Sequence, residues 1–385
     1  MFKWEKKIID IFEKDYLLLG FIIVTLIALL TRFYMLDYKS GDFNIYLGPW
    51  FDYLKDNGGL KALATYPGDY NAPYMTIMAL LTYIPLDKLY LIKGFSIIFD
   101  FALAISSACL VKFLVSKNKN EFFLLTYSII LFLPEVLMNS SLWGQCDSGY
   151  ATFIILALLY LLKEKYVKSF ILLGVAFALK LQFIFILPLF IVIYVSQKKF
   201  SFIHFLIIPV VDLVLSIPAI MMGKPLIDVL TVYFNQTETY SDRLTLNFPN
   251  IYTILTGWPS IFYKVGTLVT VAACAMMLGF IIYKKIKWNN EKILNLGLWF
   301  VVIVTFLLPC MHERYLFVGE ILAVICYILY KKNLSLTIFV VFSSVVTYSS
   351  FLFGAPTYYL PYMGAIYTVI IVYFTRDTLR LLSES

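Results

Sequence analysis

The sequence predicts an all-α, polytopic membrane protein that crosses the bilayer about twelve times. Three observations predict it. Of 385 residues, 61% are hydrophobic and only 14% charged, whereas a soluble chain carries about 25% charge. The apolar residues fall in runs of roughly 15–25, long enough to cross a hydrocarbon core of about 30 Å as helices. Removing those runs leaves no segment able to form a soluble domain, so residues 1–385 read as one transmembrane unit. Aromatic residues make up 18% of the chain, as interfacial belts and packed helices require.

Taken in order, helices are expected near 16–34, 89–115, 121–139, 148–163, 169–181, 183–196, 201–221, 259–283, 291–309, 313–330, 334–353 and 360–376. The first run follows Lys3, Lys6, Lys7 and Lys14. It is longer than a signal-peptide core and lacks a small-residue cleavage site, so it reads as a retained helix. The stretch 169–196 reads as two short helices meeting near Lys180–Gln182. Each has about 13 residues and roughly 20 Å of length, so neither spans alone and a vestibule is expected there. A single long helix instead would flip every later segment.

Alternation from a cytoplasmic N-terminus places the C-terminus on the same side. It also gathers Lys117 and Lys119, Lys163, Lys165 and Lys168, Lys198 and Lys199, Lys284, Lys285 and Lys287, Lys331 and Lys332, and Arg376 and Arg380 into cytoplasmic loops. The net charge of +7 therefore calls for no nucleic-acid partner. Two extracytoplasmic segments are long, 35–88 and 222–258, and functional loops are expected on that face. No internal repeat is visible, which counts against a transporter. The five cysteines form no C-x-x-C pair, so neither a disulfide framework nor a metal site is expected, and no cofactor is implied. Abundant isoleucine, lysine, phenylalanine and asparagine suit an AT-rich microbial genome, hence a bacterial cytoplasmic membrane.

Four constellations carry potential chemistry. The first long loop is rich in aspartate: Asp37, Asp42, Asp52, Asp56 and Asp69. Asp42 follows Ser40-Gly41, and a glycine turn there would aim a carboxylate back at the membrane surface, as a general base requires. On spacing alone, a solvated loop aspartate is the better reading. The run "LPCMHERYLF" places His312, Glu313 and Arg314 between two helices. A guanidinium beside an imidazole suits a phosphate, and a charged turn is the plain alternative. In "NSSLWGQCDSGY", Trp143 offers a sugar-stacking face or a belt anchor, and Gln145 and Asp147 offer hydroxyl partners. Lys180 and Gln182 interrupt apolar sequence, where a lysine must face a cavity or an ion-pair partner. Lys93 and Asp100 lie seven apart on one helix face and share a candidate cavity. Asp212, Glu320 and His204 read as structural.

These motifs resemble the GT-C superfamily of membrane glycosyltransferases. The likeness is to bacterial relatives of the glycosylphosphatidylinositol second mannosyltransferase and, more distantly, to the dolichyl-phosphate-glucose glucosyltransferases. It rests on "GDF" with Pro49-Trp50, "DYNAPY" at 69–74, Lys93 with Asp100, "WGQCDS" at 143–148, "KLQ" at 180–182, "LNFPNIY" at 246–252 and "MHERY" at 311–315. The resemblance implies membrane-parallel helices in the first loop and a sugar donor linked to a polyprenyl phosphate. It also implies inversion at the anomeric carbon, with Asp42 as base. Arg314, His312 and Lys180 are then expected on the donor phosphate. Asp69, Trp143, Gln145, Asp147, Gln182 and Glu135 are expected on sugar or acceptor. Two departures stand out: Asn71-Ala72-Pro73 replaces the "NPP" of many relatives, and Glu135 stands where a neutral residue is usual. Mannose, glucose, galactose and N-acetylglucosamine stay open, as do a lipid, glycopolymer or protein acceptor. A flippase or other transporter of lipid-linked sugars is the main alternative, and a polysaccharide polymerase using diphosphate-linked donors is another.

Overall fold

The computed structural model describes residues 2–238, 243–255 and 259–384. It is almost wholly helical, as expected. The helices are α1 (Lys3–Met35), α2 (Gly48–Asp56), α3 (Ala72–Leu81), α4 (Lys88–Leu114), α5 (Lys119–Phe132), α6 (Pro134–Leu137), α7 (Asp147–Leu162), α8 (Tyr166–Leu179), α9 (Leu187–Gln197), α10 (Ile203–Met221), α11 (Leu226–Glu238), α12 (Pro259–Lys284), α13 (Asn290–Leu307), α14 (Phe317–Tyr330), α15 (Leu334–Phe353) and α16 (Leu360–Ser383). Six of them are long and apolar enough to cross a membrane, or up to seven if α5 and its bent continuation count as one. The chain is a multi-pass membrane protein, and each of the twelve expected helices has a counterpart. Several are shorter than a full crossing: α7, α8, α9 and α14 fall below 18 residues.

Burial separates the centre of the bundle from its rim. The apolar stretch of α13 is 83% buried, against 11% for α1. A helix that hides both faces must sit among other helices, and one that shows apolar residues all round faces lipid. Around α13 lie α12, α14 and α16, while α4 packs on α5 and α7, α7 on α8, and α8 on α10. The first long loop forms a second apolar layer: Phe43, Phe51, Leu54, Leu63, Tyr74, Met75 and Met78 pack with Leu89 and Ile92 of α4.

Two breaks shape the site. The helix expected over 121–139 stops at Phe132 and resumes at Pro134 with a 55° bend. Pro134 has no N–H for the helical ladder, and it pushes Leu133 into extended backbone. The expected break near Lys180 is present. Lys180 is extended, with φ −159° and ψ 136°, and a short 3₁₀ segment, Leu181–Ile186, leads into α9. The loop 222–258 holds an element the sequence reading did not anticipate, the helix α11. Residues 239–242 and 256–258 of that loop lie outside the described residues.

Candidate functional site

The site is built where the end of α1, the start of α7, the end of α8 and the α13–α14 junction converge. Past α1, Ser40 sets the turn. Its hydroxyl accepts from the Phe43 N–H (3.1 Å) and donates to the Trp143 carbonyl (2.7 Å). This is the work of an N-cap, worth about 0.5–2 kcal/mol. The glycine turn expected at Gly41 is corrected: Gly41 is helical, with no positive φ, and serine chemistry rather than glycine freedom aims the chain. Asp42 then meets two donors. Trp143 Nε1 (2.7 Å) and Gln145 Nε2 (2.9 Å) both donate to its Oδ2. Among the described residues, Oδ1 has no hydrogen-bond partner.

The "WGQCDS" turn presents those donors. Gly144 adopts φ +81°, where an L side chain costs about 1–2 kcal/mol, and the Gln145 N–H donates to the Asn139 carbonyl (2.9 Å). Trp143 is fully buried, stacked on Phe351 at 4.3 Å and edge-on to Tyr348 at 5.1 Å. A sugar-stacking role does not fit this placement: the ring is fully buried and leaves no open face, and the indole N–H orients Asp42. Asp147 is 1% exposed. It pairs with Lys180, accepts from Asn139 Nδ2 (2.6 Å) and lies 3.8 Å from Arg314 Nη1. It acts as a counter-ion rather than a hydroxyl partner, and Lys180 is correspondingly neutralised. Glu135 is fully buried against Glu320, away from this convergence, which corrects its expected place on sugar or acceptor.

Arg314 and His312 are placed by a contact between two distant motifs. Thr245–Leu246 pairs in parallel with Met311–His312, and the Glu313 N–H donates to the Leu246 carbonyl (3.1 Å). The same segment holds the end of α13, where Tyr252 OH donates to the Leu307 carbonyl (2.7 Å). His312 Nδ1 meets Glu313 Oε2 at 2.6 Å, which leaves Nε2 as its second polar atom. Arg314 Nη1 donates to Gln145 Oε1 (2.9 Å), while its Nε is buried with no partner.

Two cavities share this wall. One, of about 600 Å³, is mostly apolar, lined by Phe177, Ile184, Leu230, Phe234, Tyr263 and Thr267, with Lys180 and Gln182 at its polar end. The other, of about 70 Å³, is a polar recess holding Asp42, Tyr46, Trp50 and Gln145. Asp69, Tyr70, His312 and Arg314 line both. Asp69 is an exposed residue at the rim of both cavities. Partial desolvation by the protein around it raises its carboxyl above the usual range, against its own backbone N–H and Arg314, with Asp42 adding to the rise.

Of the expected site residues, Asp42, Asp69, Gln145, Lys180, Gln182, His312 and Arg314 therefore line cavities. Trp143, Asp147 and Glu135 line neither of these two. Lys93 and Asp100 do not share one cavity. Lys93 Nζ donates to the Leu36 (2.9 Å) and Tyr38 carbonyls, whereas Asp100 pairs with Arg32 (2.8 Å). Asp212 accepts from Asn71 (2.8 Å) and Glu320 from Ser344, both structural as expected. Sequence reasoning missed Tyr70, whose OH donates to Gln145 Oε1 (2.8 Å), and Asn139. Tyr70 lies inside "DYNAPY" and Asn139 opens "NSSLWGQCDSGY", but neither residue type marked it for a role. Set against known proteins, the chain matches no family model and no curated protein.

Proposed function

We propose that this chain is an inverting membrane glycosyltransferase of the GT-C kind. It would move a hexose from a polyprenyl-phosphate donor to an acceptor hydroxyl on the extracytoplasmic face, in assembly of a cell-surface glycan. The observation that carries the reading is that two adjacent cavities share Arg314 and His312 as lining residues. An apolar space, a cationic wall and a carboxylate recess stand in that order, as a lipid, its phosphate and a reacting hydroxyl require.

In the proposed reaction, Asp42 Oδ1 takes the acceptor proton while the hydroxyl oxygen bonds to the anomeric carbon from the side opposite the phosphate. The bond between that carbon and the phosphate oxygen breaks, and its electrons leave with the polyprenyl phosphate. Arg314 lines both cavities and meets the growing negative charge with the part of its guanidinium that faces them. Oδ2 stays occupied by Trp143 and Gln145, which fixes the free oxygen's direction. No residue of this scheme needs a metal to complete its charge.

The test is transfer of labelled sugar from synthetic polyprenyl-phosphate sugars by purified protein in lipid. Asp42→Asn should lose transfer by roughly 10²–10⁴-fold, the usual contribution of a positioned acid–base group. Full activity in that variant removes the base assignment. Movement of the labelled lipid across the bilayer without any transfer would instead favour a transporter.

A further inference from the structure

Gln145 joins the two halves of the proposed reaction centre. Its Nε2 donates to Asp42 Oδ2 (2.9 Å), and its Oε1 accepts from Arg314 Nη1 (2.9 Å) and from Tyr70 OH (2.8 Å). The amide orientation is fixed by chemistry: a flipped amide would set NH₂ against a guanidinium and oxygen against a carboxylate. The side chain is 4% exposed, and the backbone behind it is anchored to Asn139 (2.9 Å). Asp42 and Arg314 line the same recess of about 70 Å³ and carry opposite charges, yet no direct bond joins them. Opposite charges lining one small recess attract and would pair directly unless something neutral stood between them.

We infer that Gln145 is a positioning residue, a neutral spacer that keeps Asp42 and Arg314 adjacent but unpaired. Each then retains a face for its own partner, Asp42 Oδ1 for the acceptor hydroxyl and the cavity-facing part of the Arg314 guanidinium for the phosphate. This inference rests on the function proposed above. The other charged or titratable groups in the recess are Asp69, His312, Tyr46 and Tyr70.

Two substitutions should move the site in opposite directions. Gln145→Ala removes the spacer and lets the guanidinium close on Asp42. A cation closed on the carboxylate favours its ionised form, so the acid limb of the pH–rate profile should move down relative to wild type. kcat should fall roughly 10²-fold, the scale of an ångström misplacement of reacting groups. Gln145→Glu has nearly the same shape but replaces the donor to Asp42 with a carboxylate. The limb should then move up while Arg314 keeps its acceptor, so donor KM should change less than in Gln145→Ala. A residue that merely supports the fold would shift both profiles alike or not at all.

Titration of Asp42 itself by infrared difference spectroscopy, wild type minus Asp42→Asn, needs no substrate and should show the same opposed shifts. Matching or absent shifts in both variants overturn the spacer role while leaving the proposed function standing. Opposed titration shifts in a protein that transfers no sugar would uphold the spacer geometry and reject the function.

Discussion

The buried pair of Arg32 and Asp100 should be the most expensive interaction to break from one side. Arg32 is 1% exposed and Asp100 is fully buried, and the guanidinium Nε donates to the carboxylate at 2.8 Å. Arg32 also donates to the carbonyls of Ala28 (3.2 Å) and Leu131 (3.0 Å), and Asp100 accepts from Ser140 and Ser148 (2.6 Å). Removing one partner of a buried pair costs about 3–5 kcal/mol. Asp100→Asn keeps an acceptor for the serines, and the arginine keeps two carbonyls, so about 3 kcal/mol is expected. Asp100→Leu also orphans the Ser148 hydroxyl, since Ser140 retains the Val136 carbonyl (3.1 Å). That adds roughly 1 kcal/mol. Arg32→Met should cost about 3 kcal/mol. The double variant Arg32→Met/Asp100→Leu strands neither charge and should recover at least about 2 kcal/mol of the summed loss. Denaturant unfolding in mixed micelles measures all four proteins. Additivity within about 0.5 kcal/mol would show that the two charges do not depend on each other, and the reasoning would fail. Because Ser140 and Ser148 flank the turn that holds Trp143 and Gln145, the single variants should lose transfer as well.

Gly144→Ala should cost about 1–2 kcal/mol through its φ of +81°. The new methyl group itself meets only ordinary contacts at 3.7 and 3.9 Å, so lost activity should track the displaced Gln145 rather than a clash. Thermal unfolding beside a transfer assay separates the two. Asp69 has a carboxyl raised by partial desolvation, so it favours the folded state below the usual carboxylate range, and that benefit is lost as pH rises through its folded value. Because the residue is exposed, solvent screens the effect and it should be small. Asp69→Asn should therefore slightly flatten the decline of stability over that window, and an unchanged pH–stability curve would mean that the carboxyl is not desolvated in the folded state.

The helices were legible because each apolar run is long and is ended by charge or proline, and the break at Lys180 because two polar residues interrupt a membrane stretch. The bend at Pro134 carried an equally plain signal, but the apolar run continues through it and hydropathy alone joins the two parts. The strand pair was not legible. Thr245–Leu246 and Met311–His312 are two residues each and lie in different loops, so neither shows a period of its own. The candidate site was legible as a set of residues but not as a set of roles. Composition cannot tell a tryptophan on an interface from Trp143, which is fully buried against Phe351 and Tyr348. Nor can it tell a sugar-binding aspartate from Asp147, which answers Lys180 thirty-three positions away.

The pairing of Asp147 with Lys180 bears on the proposed donor. Lys180 lines the apolar cavity and is answered by Asp147, so Arg314 is the cation left for a ligand on the wall the two cavities share, with His312 and Asp69 beside it. A sugar linked through a phosphodiester carries one negative charge and is matched by that wall. A diphosphate-linked sugar carries two, and it would bring the second one up to Asp42 and Asp69, the carboxylates of the adjoining recess. At an effective dielectric near 20, like charges 4 Å apart repel by about 4 kcal/mol, which outweighs an added hydrogen bond. In a donor panel of equal lipid length, monophosphate-linked sugars should therefore be used at least tenfold better than diphosphate-linked ones, without added divalent cation. Equal use of both would mean that Asp147 does not neutralise Lys180 during turnover, and the polymerase alternative would become the better reading of the site.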